Sequence, residues 1–213
     1  MRGDGMNLRE LLLLALFGWT VLGVVGVLIS GLRARRGVVE EQGKVARGIS
    51  WLVGIWLVYL LVLVVVSVEQ PQRVIAMGQE QCFDEMCFAV MGVDEVPRFL
   101  GPGGVSDGSR LVRVAVRVRN KARENMQGEG LIRAYLVDGQ GREWEESMGV
   151  GGNRLTERVG AGAEMMSEPV FKVAADASGL ELVFTHGRWQ PGVLVIGDSD
   201  SWGHRRTVVR LGR

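Results

Sequence analysis

Two long apolar runs fill most of the first third of the chain, and short alternating runs occupy the rest. Leu11 to Leu32 (LLLLALFGWTVLGVVGVLISGL) and Ile49 to Val68 (ISWLVGIWLVYLLVLVVVSV) contain no charged residue. About 20 residues in a helix, at roughly 1.5 Å each, cross the roughly 30 Å of hydrocarbon in a bilayer. A backbone in lipid must satisfy its own hydrogen bonds, so each run is expected to be a transmembrane helix. The first run is too long and too evenly apolar for the core of a secretory signal peptide. Ser30-Gly31-Leu32-Arg33 is also not a small-x-small cleavage site, so the run reads as an uncleaved anchor. Gly26 and Ser30, four apart on one face, fit a close helix approach equally as well as the general abundance of glycine in this chain.

From Val74 onward the period changes. Arg110 to Arg119 (RLVRVAVRVR) puts Val112, Val114, Val116 and Val118 on one face and Arg113, Arg117 and Arg119 on the other. That alternation marks a half-buried strand. Its arginines are expected on the solvated face of an antiparallel sheet, with cross-strand acids such as Glu143 or Glu145 nearby. Leu131–Val137 and Arg142–Glu146, joined by Asp138-Gly139-Gln140-Gly141, predict a hairpin. Val170–Ala174 and Leu180–Thr185 alternate as strands. Gly192–Gly197 (GVLVIG) reads as a central strand, and Arg205–Leu211 as a closing one with Thr207, Val209 and Leu211 inward. Two loops stand between them: Asn120–Gly130, and the glycine-rich Ser147–Met166, much of which is expected to be mobile. Short strands with glycine-bearing turns predict a two-sheet antiparallel β-sandwich, with binding most at home in the loops.

The predicted order is therefore an exported tail (1–10), a first helix (11–32), a basic cytoplasmic loop (33–48) and a second helix (49–68). A linker (69–81) and an exported β-sandwich (82–213) follow. Arg33, Arg35, Arg36, Lys44 and Arg47 fix that topology, because short loops rich in Lys and Arg stay inside. The same loop suits anionic lipid head groups. Trp51 falls near the cytoplasmic end of its helix, where an amphipathic ring suits the interface.

Composition adds little beyond this. The 213 residues are 47% hydrophobic with a mean hydropathy of +0.15, but the apolar residues cluster in the helices. Formal net charge is +1, and the part from Val74 onward holds 17 Lys and Arg against 19 Asp and Glu, a balance of −2. A nearly neutral domain lacks the clustered excess of basic residues that nucleic acid requires. An Arg-over-Lys bias and 31 Gly fit a bacterial genome rich in G and C.

Cys82 and Cys87, in QCFDEMCFAV, would face an oxidising compartment if the topology is right. Four intervening residues with Asp84-Glu85 at the turn place them opposite each other across a tight hairpin, within reach of a disulfide. A redox pair would use the closer Cys-x-x-Cys spacing at a helix start, and metal binding would need two further ligands, for which only the distant His186 and His204 are on offer.

Asp198 and Asp200, with Ser199 and Ser201 between and after them, form the most distinctive polar stretch. It lacks the bidentate Glu that closes a calcium loop, and it reads as a turn in which Asp and Ser cap backbone amides. His204, Asp198 and a neighbouring serine would make a hydrolase triad only without the usual Gly-x-Ser-x-Gly elbow. His186 reads as a turn residue, and no phosphate-binding loop or dinucleotide fingerprint appears. No catalytic, cofactor or metal site is expected.

The valine strand ending in Arg119-Asn120, the Tyr135-to-Gly141 hairpin, Pro169–Val173 ahead of LELVF, and the closing IGDSDSWGHRRTVVRL resemble a bacterial family. Its members are extracellular domains of unknown function with an immunoglobulin-like sandwich, related to the secreted mycobacterial immunogenic-protein fold. The resemblance runs from about Cys82 to Leu211. It implies an immunoglobulin-like β-sandwich without established catalytic residues. Members typically carry a lipid or a single helix as anchor, so a two-helix anchor departs from the pattern.

Together these features imply a non-enzymatic protein of the cytoplasmic membrane of a bacterium. Its β-domain would lie on the outer, periplasmic side for protein or cell-surface interaction. The alternative is an accessory subunit of a membrane complex whose helices make the contacts that matter. The expected partners are the lipid bilayer and an unidentified protein, not nucleic acid.

Overall fold

Helices α1 (Leu8–Arg35, 28 residues) and α2 (Val39–Glu69, 31 residues) carry the two apolar runs. A computed structural model of the chain describes residues 8–35, 39–96, 108–187, 191–198 and 200–212. Both helices are long and apolar enough to cross a membrane, and only 6% of either apolar window is buried. A core helix of a water-soluble fold would be covered; these are not. Pro71, which cannot continue a helix, stands just beyond the end of α2.

The helices meet along Thr20, Gly23 and Val27 of α1. A Cβ at Gly23 would fall 2.6 Å from Leu52 Cδ2, and one at Gly48 would fall 2.9 Å from Val27 Cγ2. Gly26 has open space around it, so of the two readings of that glycine the close helix approach does not hold. The reason is angular: Gly26 sits about 100° around the helix from Val27, off the contacting stripe. The basic connector is also shorter than predicted. Arg33 and Arg35 are on the last turn of α1, Lys44 and Arg47 are on the first turns of α2, and Arg36 lies outside the described residues. The predicted tail over residues 1–10 lies largely outside them as well.

The chain divides into two compact units. One contains both helices together with Pro191–Arg205, and the other contains all nine strands. The strands are β1 (Val74–Ile75), β2 (Glu80–Phe83), β3 (Met86–Val96), β4 (Ser109–Asn120) and β5 (Arg133–Val137), then β6 (Glu143–Gly152), β7 (Glu164–Ala174), β8 (Glu181–Thr185) and β9 (Val208–Arg210). They form a mixed sheet in the order β1-β9-β8-β5-β6-β7-β4-β3-β2. Only β1–β9 is parallel. Strand β6 joins the two halves: Glu143–Glu145 pair with β5, and Glu146–Gly152 pair with β7.

The halves bury one shared core, which makes the unit β-sandwich-like. Phe88 of β3 meets Phe184 of β8 with ring centroids 5.5 Å apart. Leu136, Phe171 and Leu182 fill the space around them. Val112, Val114, Val116 and Val118 all point inward, as the alternation predicts.

Four boundaries differ from the sequence reading. The sheet starts at Val74, inside the predicted 69–81 linker. Ser147–Met166 is not one loop, because β6 runs on to Gly152 and β7 begins at Glu164; shifts of register beside Met148 absorb the glycines. The 82–213 domain is interrupted, since Pro191–Arg205 packs with the helices. Gly192–Gly197 is not a strand: Pro191–Leu194 forms one turn of 3-10 helix and the chain then bends. An apolar run of this length is compatible with burial in any conformation, and here glycines at both ends favour turning.

Candidate functional site

The most unusual local structure is the segment from Pro191 to Arg205, which folds back along α2. The Tyr59 hydroxyl donates to the Leu194 carbonyl at 2.5 Å. Nearer the end of the helix, the buried hydroxyls of Ser67 and Ser201 are 2.7 Å apart. His204 Nδ1 lies 3.3 Å from the Ser67 carbonyl. Gly203 adopts φ 85°, a left-handed backbone that favours glycine, beside Ser67 and Val68.

Within the segment the Trp202 amide donates to the Val193 carbonyl at 2.9 Å, closing the turn on itself. Asp198 caps it, with its carboxylate accepting the Asp200 amide at 2.9 Å. Asp198, Ser201 and His204 are thus each engaged in shaping the turn or in seating it on α2, and Ser199 lies outside the described residues. The turn reading of this stretch describes its local chemistry, but its docking on a helix has no signal in the sequence.

A second relation links the helices. Trp56 Nε1 donates to Thr20 Oγ1 at 3.0 Å. The Trp56 ring contacts Phe17 and Tyr59 edge-on, at centroid distances of 5.7 and 5.9 Å. On another face of α2, Arg47, Ser50, Trp51, Gly54, Ile55 and Val58 line an open, largely apolar groove of about 520 Å³.

In the β-unit, Cys82 and Cys87 are direct register partners across the β2–β3 hairpin and form a disulfide. Asp84, at φ 52°, makes the turn between them. Their sulfurs are used in that bond, so their proximity to Glu80 does not offer thiolate ligands. Beside the hairpin, the His186 ring meets Phe83 at 4.5 Å and its Nε2 lies 3.2 Å from Glu129.

The two loops expected to bind are tied to each other. Asn120, fully buried, donates to the Asn125 and Val159 carbonyls at 2.8 and 2.9 Å and accepts from the Ala122 amide at 2.8 Å. Gln127 and Val159 exchange two backbone bonds. The loops therefore present one composed surface, carrying Met126, Arg158 and Glu157 near each other in the fold.

Arg110, Arg113 and Arg117 of β4 are paired, but not with Glu143 or Glu145. Arg110 bonds Glu95, Arg113 lies 3.5 Å from both Asp94 and Glu168, and Arg117 is 3.8 Å from Glu80. The cause is sheet order, since β4 lies between β3 and β7 and not beside β6. The hydrogen bond from Lys121 holds the Glu80 carboxyl below the usual carboxylate range, against the opposing effect of burial. At the β5–β6 turn, burial would raise the Asp138 carboxyl. Bonds from the Arg142 amide and guanidinium and from the Gln140 amide outweigh burial and hold it below its ordinary value.

No protein-family model matches the chain, and no curated protein sequence matches it. Among the solved structures to which the chain is similar are the following. An uncharacterised β-sandwich protein of Clostridium difficile is 10% identical, with a TM-score of 0.43 over 68% of this chain and 97% of its own. The secreted protein MPT63 of Mycobacterium tuberculosis is 9% identical, with a TM-score of 0.42 over 56% and 93%. The yjhA protein of Bacillus subtilis is 16% identical, with a TM-score of 0.40 over 64% and 98%. Scores this low do not carry a shared role.

Proposed function

We propose that the chain is a non-enzymatic membrane protein that holds an immunoglobulin-like β-domain outside the bacterial cytoplasmic membrane for contact with another protein. Helices α1 and α2 span the bilayer, and Arg33, Arg35, Arg36, Lys44 and Arg47 keep their connector in the cytoplasm. The observation that supports this best is the uncovered apolar flank of the helices, where Leu22, Trp51 and Leu61 are 70%, 67% and 65% exposed. In water such a surface would be a liability; in lipid it is the natural solvent-facing side. The Cys82–Cys87 bridge suits an oxidising compartment.

The composed surface of the 120–130 and 153–163 loops is the proposed partner site in this reading. The test has two parts. A cytoplasm-only reporter fused after Arg213 should be silent, and protease added to permeabilised intact cells should digest the β-domain. Photocrosslinkers at Met126 and Arg158 should then capture a protein that crosslinkers at Gln140 do not. Protection of the domain until lysis would refute the topology, and equal capture at all three positions would refute the partner surface.

The groove around Gly54 favours a second reading, in which α2 packs against a helix of another membrane protein and the chain is an accessory subunit. Gly54→Leu should then abolish co-purification of that subunit and leave the β-domain folded. Unaltered assembly would end this reading.

A further inference from the structure

We propose that the turn of chain between β8 and β9, Pro191 to Arg205, is a re-entrant membrane element that dips into the outer leaflet beside α2. The proposal rests on the reading that α2 spans the bilayer. Tyr59 lies ten residues inside the helix from Glu69, about 15 Å along its axis, and its hydroxyl holds the Leu194 carbonyl. Ser67, about 12 Å further out along the same helix, holds Ser201 and receives His204. The segment is therefore aligned along the helix with its apolar tip, Val193-Leu194-Val195-Ile196, at the inner end. Its polar return, Asp198 to His204, reaches the outer end. That gradient follows the change from hydrocarbon to head groups.

Irregular backbone survives at hydrocarbon depth only where its polar groups are bonded within protein. Four successive carbonyls of the tip, Gly192 to Val195, are bonded within the protein. Gly192 O accepts from the Val195 amide at 3.0 Å, Val193 O from the Trp202 amide at 2.9 Å, and Val195 O from the Asp198 amide at 3.2 Å. The fourth, Leu194 O, is taken by Tyr59, the only phenol in α2. In an aqueous loop water would serve that carbonyl, and a tyrosine in the middle of the charge-free run Ile49–Val68 would have no reason to reach it. Trp202, 59% exposed beside Gly203 at the level of Ser67 and Val68, supplies the amphipathic ring typical of the lipid–water boundary. The partner of this surface is outer-leaflet phospholipid.

The test uses the full-length chain in vesicles of phosphatidylethanolamine and phosphatidylglycerol, with the native disulfide intact. Single cysteines replace Leu194, Ile196, Trp202, Leu61 and Gln140 in turn and carry an environment-sensitive bimane. Quenching is compared between aqueous iodide, a nitroxide near the head group and a nitroxide at mid-chain. Labels at 194 and 196 should be quenched roughly threefold more by mid-chain nitroxide than by iodide, as for a backbone within hydrocarbon. The label at 202 should respond most to the shallow nitroxide, and the one at 140 to iodide alone. Tyr59→Phe should shift the 194 label towards iodide, because the carbonyl it leaves bare seeks water. Iodide quenching at 194 and 196 equal to that at 140 would overturn the proposal, and so would an unmoved 194 label in Tyr59→Phe. If the Leu61 label also behaved as aqueous, the failure would lie in the spanning reading of α2. If Leu61 were lipid-quenched while 194 and 196 were not, the re-entrant turn alone would fall.

Discussion

Trp56 of α2 donates its indole N–H to the Thr20 hydroxyl of α1 at 3.0 Å, and Thr20 in turn donates its O–H to the Leu16 carbonyl one turn back at 2.7 Å. The two-bond relay ties the helices at one level. At the next level, Gly23 lets Leu52 lie against the α1 backbone. Two apolar helices in lipid gain nothing from hydrophobic burial against each other, so close packing and such polar links decide whether they associate.

The helix pair should therefore respond to small changes at specific positions. Trp56→Phe removes the link and should weaken the pair by about 0.6 to 1 kcal/mol. Gly23→Val inserts carbon where Leu52 already sits and should cost about 1 to 3 kcal/mol. Gly26→Val, placed in open space, should cost close to nothing. Unfolding of the hairpin in mixed detergent micelles checks all three, and equal effects at Gly23 and Gly26 would contradict the seam.

Asn120 should be the most sensitive polar residue of the β-unit. Its buried side chain serves the Asn125 and Val159 carbonyls and the Ala122 amide. Asn120→Ala leaves the buried Ala122 amide without that acceptor, while the Val159 carbonyl keeps the Gln127 amide, and should cost roughly 1 to 3 kcal/mol. Arg119→Ala, exposed on the same strand, should stay within about 0.5 kcal/mol. Denaturant titration of the full chain in detergent, followed in the near ultraviolet, distinguishes them.

Acid should loosen the β-unit through two carboxylates. Asp138 and Glu80 both have folded pKa values below their ordinary ones. Folding therefore favours their ionised forms, and the stabilisation is fully present above the unfolded values of roughly 4. It is lost as pH falls through the lower folded values. Thermal midpoints measured from pH 7 downward should stay level and then drop below about pH 4. Asp138→Asn should lower the neutral plateau and shallow the acid limb. An acid limb of undiminished slope in that variant would remove Asp138 from the account.

Where the chain's period was unmistakable, it also named the structure: the charge-free runs became α1 and α2, and the valine alternation became the inward face of β4. Spacing likewise set Cys82 opposite Cys87, because a two-residue turn leaves no other register. The arginine partners were not legible, since Glu80, Asp94, Glu95 and Glu168 reach β4 only through a strand order that no local pattern encodes. GVLVIG was ambiguous for a different reason. An apolar stretch records that it avoids water and not whether a sheet or a helix covers it. The bond that settles the matter, Tyr59 to Leu194, spans 135 residues. Gly23 and Gly48 carried a signal that could have been read, since each falls on the face that Thr20 and Trp56 share.

The disulfide should matter locally and little globally. Its ring is small, so the unfolded chain loses only modest freedom on closing it, and the expected contribution is about 2 kcal/mol in the chain-entropy description. The β2–β3 edge has other support: Phe83 packs edge-on against Phe88 at 6.0 Å, and Lys121 donates its amide to the Glu85 carbonyl at 2.8 Å. The Cys82→Ser, Cys87→Ser double variant should accordingly fold, with a denaturation midpoint lowered by an amount matching that figure. Hydrogen exchange should quicken at the β2–β3 amides while the β4–β7 ladder stays protected, because β4 is held by β7 on its other side. Loss of protection across β4 and β7 in the double variant would mean that the hairpin is not an edge feature but part of what closes the core.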